Sequence, residues 1–426
     1  MNRPSFSVFS VSRETALVVG LVGGAEFVNH TYLVLFPPIL QILATEFDVS
    51  LAMLGVAMGV QGFTNALFQL PFGYLSDNYD RRIALGLSLA LSTGSVFLVA
   101  FAPTFEILLL GQALLGIGIA GHHPTHFPLL ADATPEHLRA RAFSVRGFLG
   151  SLGFAAPPVF FAATLTLPGM TWRYAAALIG LFGAVYATIT MAAFQRYVGT
   201  DVTAPEPERK DPDESVPLRE SVRRELRAIV ASPTILALAV LALVASTASW
   251  GLTTYTVVFL RDGYGLALDA ANLTLSAMFV VGAVMVLVGG DLSDRFSPGP
   301  LIVGSYTAVV LFVGLLATLA IPVAVAVGSL LLVGGIRSLA GPARSKLADR
   351  LSTRADLGRN FALITVGTMT GSALAPPLFG ALISRAGLQT AFTLIAGISV
   401  AAVLVTLFVL YRRDVSGLAA GAVKTE

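Results

Sequence analysis

The 426-residue chain contains no cysteine. Disulfide frameworks, thiolate metal sites and cysteine nucleophiles are thereby excluded. Charge is almost as scarce: Asp, Glu, Lys and Arg make up 12% of the residues, against about 25% in a soluble domain. The 27 basic and 25 acidic side chains nearly cancel to a net +2. No field is left for gathering polyanions, so a nucleic-acid partner is not expected. Apolar residues fill the deficit. They reach 55% of the chain, with a mean hydropathy of +0.79, which is the composition of an integral membrane protein rather than of a water-soluble enzyme.

A bilayer core of about 30 Å takes about 20 helical residues. Ile83 to Phe105, Tyr174 to Gln195 and Ala386 to Tyr411 are charge-free and long enough to cross. Phe296 to Ile336 is too long for one crossing and breaks at Ala320-Ile321-Pro322. The chain so divides into spans near 14–41, 50–74, 83–103, 105–131, 142–166 and 171–195, then 232–260, 270–290, 300–319, 322–347, 359–384 and 388–411. The expectation is an all-α membrane fold of twelve helices in two six-helix bundles, 14–195 and 232–411. A polar tail (1–13) precedes them, a linker (196–231) joins them and a second tail (412–426) follows. The first apolar stretch outruns a signal peptide and is read as a span that stays. Ala204 to Glu214 is charged and proline-rich, and 218–230 has the pattern of an amphipathic surface helix.

Arg81, Arg82, Arg139, Arg141, a cluster from Arg196 to Arg227 and another from Arg344 to Arg359 fall on the side of the termini. Arg173, Arg261 and Arg385 fall on the other. The positive-inside rule then puts both termini in the cytoplasm and the chain in a plasma membrane. The excess of arginine over lysine hints at a prokaryotic source.

The halves repeat. Gly73-Tyr-Leu-Ser-Asp77 ends span two, and Gly290-Asp-Leu-Ser-Asp294 ends span eight 217 residues later. Leu130-Ala-Asp132 and Leu347-Ala-Asp349 recur at the same offset, and Gly153 with Pro157-Pro158 returns as Gly371 with Pro376-Pro377. Parallel duplicated bundles are a transporter design, with the site at the midplane between repeats. Gly73 to Arg82 resembles the loop 2–3 signature of the major facilitator superfamily, Gly-x-Leu-x-Asp-x-x-Gly-Arg-Arg, and Gly290, Asp294 and Arg295 resemble its second copy. Asp80 replaces the signature's second glycine. Gly73 is expected to permit close helix approach, Asp77 to face a helix N-terminus or a basic group, and Arg81 and Arg82 to hold the loop at the headgroups. Contacts of that kind favour the outward-open state and break on inward opening. Gly116 to Pro124, Ala142-Phe-Ser, and Tyr32 with Pro37-Pro38 are similar to the fosmidomycin-resistance branch. Thr125, Glu26 and His30 depart from it. The superfamily's span-four arginine position falls at Gln112, so no proton role is carried over there. Gly116-x-Gly-x-x-Gly121 also fits a dinucleotide fingerprint, but it follows no strand, and tight helix packing explains it better.

An ionisable group inside a membrane is a functional candidate. Glu26 and His30 lie one turn apart on span one, His122 and His126 share a face of span four, and Arg146 on span five points to the same region. Arg337 stands midway along span ten. The resemblance implies that spans one, four, seven and ten line the cavity, which puts Glu26 and Arg337 at similar depth on opposite sides. Arg337 offers a donor fork for a carboxylate, phosphate or phosphonate; the alternative is that it and Glu26 neutralise each other. Glu26, His30, His122, His126 and Arg146 are candidates for contact with the solute, and the first four also for proton coupling, since histidine changes charge near neutral pH. Trp250 and Tyr255 are candidates for stacking on a solute. Gln61, Asn65 and Gln69 form a polar stripe suited to interhelical contact. His122, His123 and His126 have a flavour of di-iron oxidase clusters, but five histidines are too few.

The function these features point to is secondary active transport of a small anionic or drug-like solute, with proton-coupled efflux first and uptake of an organic anion as the alternative. A membrane sensor and an enzyme rank lower. No metal or cofactor is expected, and the partners are the solute, protons and the bilayer, with the chain a monomer.

Overall fold

The computed structural model describes residues 12–204, 233–352 and 357–422. The expected helix at 218–230 and most of both tails lie outside these. Among the described residues twelve helices cross the molecule: α1 (Arg13–Glu46), α2 (Leu51–Asn78), α3 (Arg81–Ala100), α4 (Phe105–Ala133), α5 (Glu136–Thr164), α6 (Trp172–Tyr197), α7 (Pro233–Gly263), α8 (Leu268–Arg295), α9 (Pro298–Ala317) and α10 (Val323–Leu351), then α11 and α12, which form one helical run, Leu357–Ala422, broken at Gly387 (φ 84°). Only glycine adopts that backbone turn cheaply. Side-chain caps fix four of the helix starts. Ser12, Ser50, Asp80 and Thr171 each accept a backbone N–H of the following turn, replacing bonds that a helix start lacks.

Two helices bend where proline dictates. In α1 the main helix ends at Leu33, and Pro37-Pro38 open a short tight turn before Leu40–Glu46. In α4 Pro124 has no N–H for the carbonyl of Ala120, and the helix breaks between Ala120 and His122. The three span-four histidines therefore sit on a displaced segment.

The apolar core records the conformational state. One large cluster of buried side chains runs through both bundles in the half away from the 2–3 loop, joining Leu35, Phe36, Leu54, Tyr255, Phe259 and Phe392. On the 2–3 loop side it gives way to separate clusters, Val18 to Val202 in the first bundle and Ile235 to Val409 in the second. Among the described residues three side-chain hydrogen bonds tie the bundles, all in the continuous half. Gln41 Nε2 donates to Asp262 Oδ1 (2.6 Å), Asn272 Nδ2 to the Pro38 carbonyl (3.2 Å) and Ser276 Oγ to the Ala155 carbonyl (2.8 Å). The bundles are closed on the far face and parted on the face of the 2–3 loop.

The far seam is backbone against backbone. A Cβ on Gly55 of α2 would lie 2.3 Å from the Pro376 carbonyl oxygen of α11, and one on Gly62 would lie 2.9 Å from the Ala373 Cα. Small residues permit such approach where lipid offers no hydrophobic drive. Gly55→Leu should wedge this seam apart. Overpacking costs about 1–3 kcal/mol, so a cysteine replacing Ser276, which is buried in this seam against Ala155 of α5, is expected to react with a thiol reagent about tenfold faster in this otherwise cysteine-free chain. Unchanged labelling would mean that another contact closes this face.

The loop signature is used differently from expectation. A Cβ on Gly73 or Gly290 would meet open space, so neither glycine marks a close approach here, and Asp77 is exposed. Arg81 turns inward to pair with Asp132 and donates to the Val202 carbonyl (3.0 Å). Arg82 reaches Asp80 and Thr203. These guanidinium groups find acceptors within their own bundle instead of reaching the headgroups, because the helix Thr200–Thr203 after α6 packs against the loop. In the second copy Lys346 Nζ lies 3.6 Å from Asp294, and Arg295 pairs with Asp291 at 3.0 Å.

Candidate functional site

The first bundle buries a charged group at its centre. Glu26 of α1 is 2% exposed. Its Oε1 lies 2.7 Å from Arg146 Nη2 of α5, in ion-pair range though off the line of a hydrogen bond, and 3.4 Å from His30 Nε2. Its Oε2 lies 3.1 Å from Nδ1 of His126 on the displaced segment of α4. His123 approaches Oε1 at 4.0 Å. One carboxylate therefore binds three helices together. Close approach of α5 makes it possible, since a Cβ on Gly153 would stand 2.3 Å from the Phe27 carbonyl and one on Gly150 2.6 Å from His30 Nδ1. Arg146 is steadied further by the Phe127 ring, 4.6 Å from its Cζ.

The cluster is graded in exposure. His122 and His126 are sealed, the His30 side chain is 16% exposed and that of His123 is 42% exposed. His122 has neither ring nitrogen hydrogen-bonded, and His126 Nε2 is also unpartnered. Unsatisfied buried acceptors and donors are costly, and they leave room for another proton. Glu26, His122 and His126 also bring ligand atoms within 4.8 Å of one another, close enough for a metal ion. Arg146 already supplies the carboxylate's countercharge, and a divalent ion would add two further positive charges to a buried place.

Arg337 does not pair with Glu26. It belongs to the second bundle, where Nη1 donates to the Ser249 carbonyl (3.1 Å) and to Ser249 Oγ (2.8 Å) of α7. Its Cζ stands 5.9 Å from the centre of the Phe279 ring. Around it lies a cavity of about 600 Å³ between the bundles, whose walls include Ser151 and Phe154 of α5, Trp250 of α7, Phe279 of α8, and Ser338 and Arg344 of α10. Its ionisable lining residues are Arg337 and Arg344. The volume falls within the range of small-molecule sites.

The sequence-level candidates thus separate into two places. Glu26, His30, His122, His126 and Arg146 come together in the first bundle, while Arg337 and Trp250 meet at the cavity. Tyr255 joins neither: it is fully buried, and its hydroxyl donates to the Pro376 carbonyl (2.6 Å), bracing the α7–α11 contact. Glu26, His30, His122, His126 and Arg146 are not among the residues lining this cavity, so the solute contact expected of them is not made through it. Arg344, assigned from sequence to the basic cluster on the surface, stands in the cavity wall, with a buried Nε that has no hydrogen-bond partner among the described residues. Its seven-residue spacing from Arg337 put both on one helix face, which was the available signal. Gly116 and Gly118 pack directly on α2 and α3, as the packing explanation of the glycine pattern expects.

The sequence matches the description Major Facilitator Superfamily over residues 22–347. The chain belongs to the major facilitator superfamily. Superfamily relatives include the inner membrane transport protein YajR of Escherichia coli (strain K12), 34% identical over 104 residues, which is 24% of this chain and 22% of that protein. The fosmidomycin resistance protein of the same organism is 23% identical over 300 residues, 69% of each chain. Among solved superfamily structures, a bacterial homolog of the human lysosomal transporter Spinster, titled inward-facing and occupied, matches with a TM-score of 0.76 at 16% identity, covering 94% of this chain and 97% of that one. The shared fold is that of a multi-pass transporter.

Proposed function

We propose that the protein is a proton-coupled secondary carrier that exports a small organic anion or anionic drug-like solute by alternating access. The observation that carries this reading is the division of labour between bundles. A solute-sized cavity whose ionisable lining among the described residues is arginine faces one bundle's Phe154, and a sequestered carboxylate–histidine–arginine group lies behind that wall. Arg337, held by Ser249, presents its remaining donors to an anion. Arg344, about 10 Å nearer the open face by helix rise, draws the anion in. Phe154, Trp250 and Phe279 supply flat apolar walls.

Proton coupling follows from what a proton does to Glu26. Protonation removes the charge that holds Arg146, His126 and His30, and so loosens the ties between α1, α4 and α5. His123 and His30, the least buried members, give water a path to the carboxylate. The basic residues crowd on the face of the 2–3 loop, which makes that face cytoplasmic by the positive-inside rule. The parted side then faces inward, in a prokaryotic inner membrane, with the chain acting as a monomer. Resistance in the name of one relative supports the export direction.

The test is transport in proteoliposomes. A solute is first found by thermal shift across a panel of organic anions, since a ligand of the folded state raises Tm. Glu26→Gln vesicles are expected to retain exchange of labelled for unlabelled solute but to lose accumulation driven by a pH gradient. Full gradient-driven accumulation in that variant would remove Glu26 from the coupling. Acceleration of uptake rather than export by acid on the outer side would turn the reading to symport.

A further inference from the structure

One side chain touches both sites. Phe154 of α5 lies flat on the His30 imidazole, with ring centroids 4.1 Å apart and planes 13° from parallel. On its other side it stacks on Phe279 of α8 at 5.5 Å and meets the edge of Trp250 at 6.2 Å. Phe279 in turn lies beneath the Arg337 guanidinium. Glu26, His30, Phe154, Phe279 and Arg337 therefore form an unbroken series of contacts from the buried carboxylate, across the gap between bundles, to the solute cavity that Phe154 itself lines.

We propose that Phe154 is the positioning residue through which the charge state of the Glu26–His30 group sets the width of the cavity at Arg337. The inference rests on the proton-coupled reading above. An imidazolium is attracted to an aromatic face more strongly than a neutral imidazole, which stacks there only as one flat ring on another. The groups facing His30 are Glu26 on its own helix, Arg146 on α5, and His122, His123 and His126 on α4, so a proton gained anywhere in this set changes the field at the stack. When His30 is charged, Phe154 is drawn towards α1 and its stack on Phe279 slackens. When His30 is neutral, Phe154 is free to settle on Phe279 and close the cavity from the first-bundle side. A leucine of similar volume fills the same space without offering a ring face.

Trp250 reports this directly, because it touches Phe154 and the chain has only one other tryptophan, Trp172. In a Trp172→Phe background with no solute added, Trp250 emission is expected to show a transition as the medium is acidified from about pH 8 to about pH 4. His30→Gln and Phe154→Leu should each cut the amplitude about two- to fivefold, and Phe154→Tyr should preserve it. Phe154→Met serves if the leucine chain does not fold. A full transition in the leucine or methionine variant, or no transition in the parent, overturns the inference. Gradient-driven transport is measured separately on the same variants. If it persists while the Trp250 transition is absent, this inference alone falls; if Glu26→Gln transports normally while Trp250 still titrates, the coupling reading falls instead.

Discussion

Arg146→Met is expected to lower the free energy of unfolding by about 3–5 kcal/mol, the usual cost of stranding one partner of a buried ion pair. Adding Glu26→Gln to the same chain should recover most of that loss. Both side chains sit inside the first bundle, 2% and 7% exposed, so water cannot take over the role of the missing partner. The histidines 3.1 and 3.4 Å from the carboxylate give the single variant a partial remedy, since either can take up a proton and replace the lost cation. The deficit should therefore shrink as the pH falls and a histidine takes up a proton, and grow as the pH rises. Unfolding of the parent, single and double variants in detergent, followed by helix circular dichroism at two pH values, checks all three statements. A double variant no more stable than Arg146→Met would mean that Glu26 is not the group Arg146 neutralises.

The second large effect belongs to the cavity. Arg337→Ala should weaken binding of an organic anion by about 30-fold or more, as expected when one member of a buried charged hydrogen-bonded pair is removed. Arg337→Lys should recover only part of the loss, because a single ammonium cannot reproduce the guanidinium fork that reaches Ser249 and the solute together. Arg344→Ala should act more gently and mainly on the association rate, with a salt dependence that the parent shares and the variant loses. Titration of purified protein by calorimetry distinguishes the two arginines. Equal affinity in the parent and in both Arg337 variants would dismiss the anion clamp.

The large features were legible from sequence because each depends on short-range pattern. Apolar windows marked the spans, the 217-residue offset marked the duplicated halves, and helical spacing placed Glu26 beside His30. Pattern on one helix does not say which way its neighbour is turned. Glu26 and Arg337 are at comparable positions in their helices, yet the carboxylate turns to α4 and α5 while the guanidinium turns to α7. The choice rests on tertiary contacts that depend on local breaks and small residues: Pro124 displaces the histidine segment, and Gly150 and Gly153 admit α1 against α5. Arg146, Gly150 and Gly153 share one face of α5, and that glycine stripe beside an arginine was the overlooked clue. Phe154 escaped notice for a plainer reason. A phenylalanine in a membrane helix carries no polar signal, and its importance comes entirely from what stands on either side of it.

The buried carboxylate of Glu26 and the cavity arginines reside on different bundles. Substitutions at Ser249 or Ser338, which stand outside the ring series joining the two places, alter what fits the cavity without disturbing the carboxylate and the partners that hold its charge. Selection can therefore reshape one place while the other is inherited unchanged.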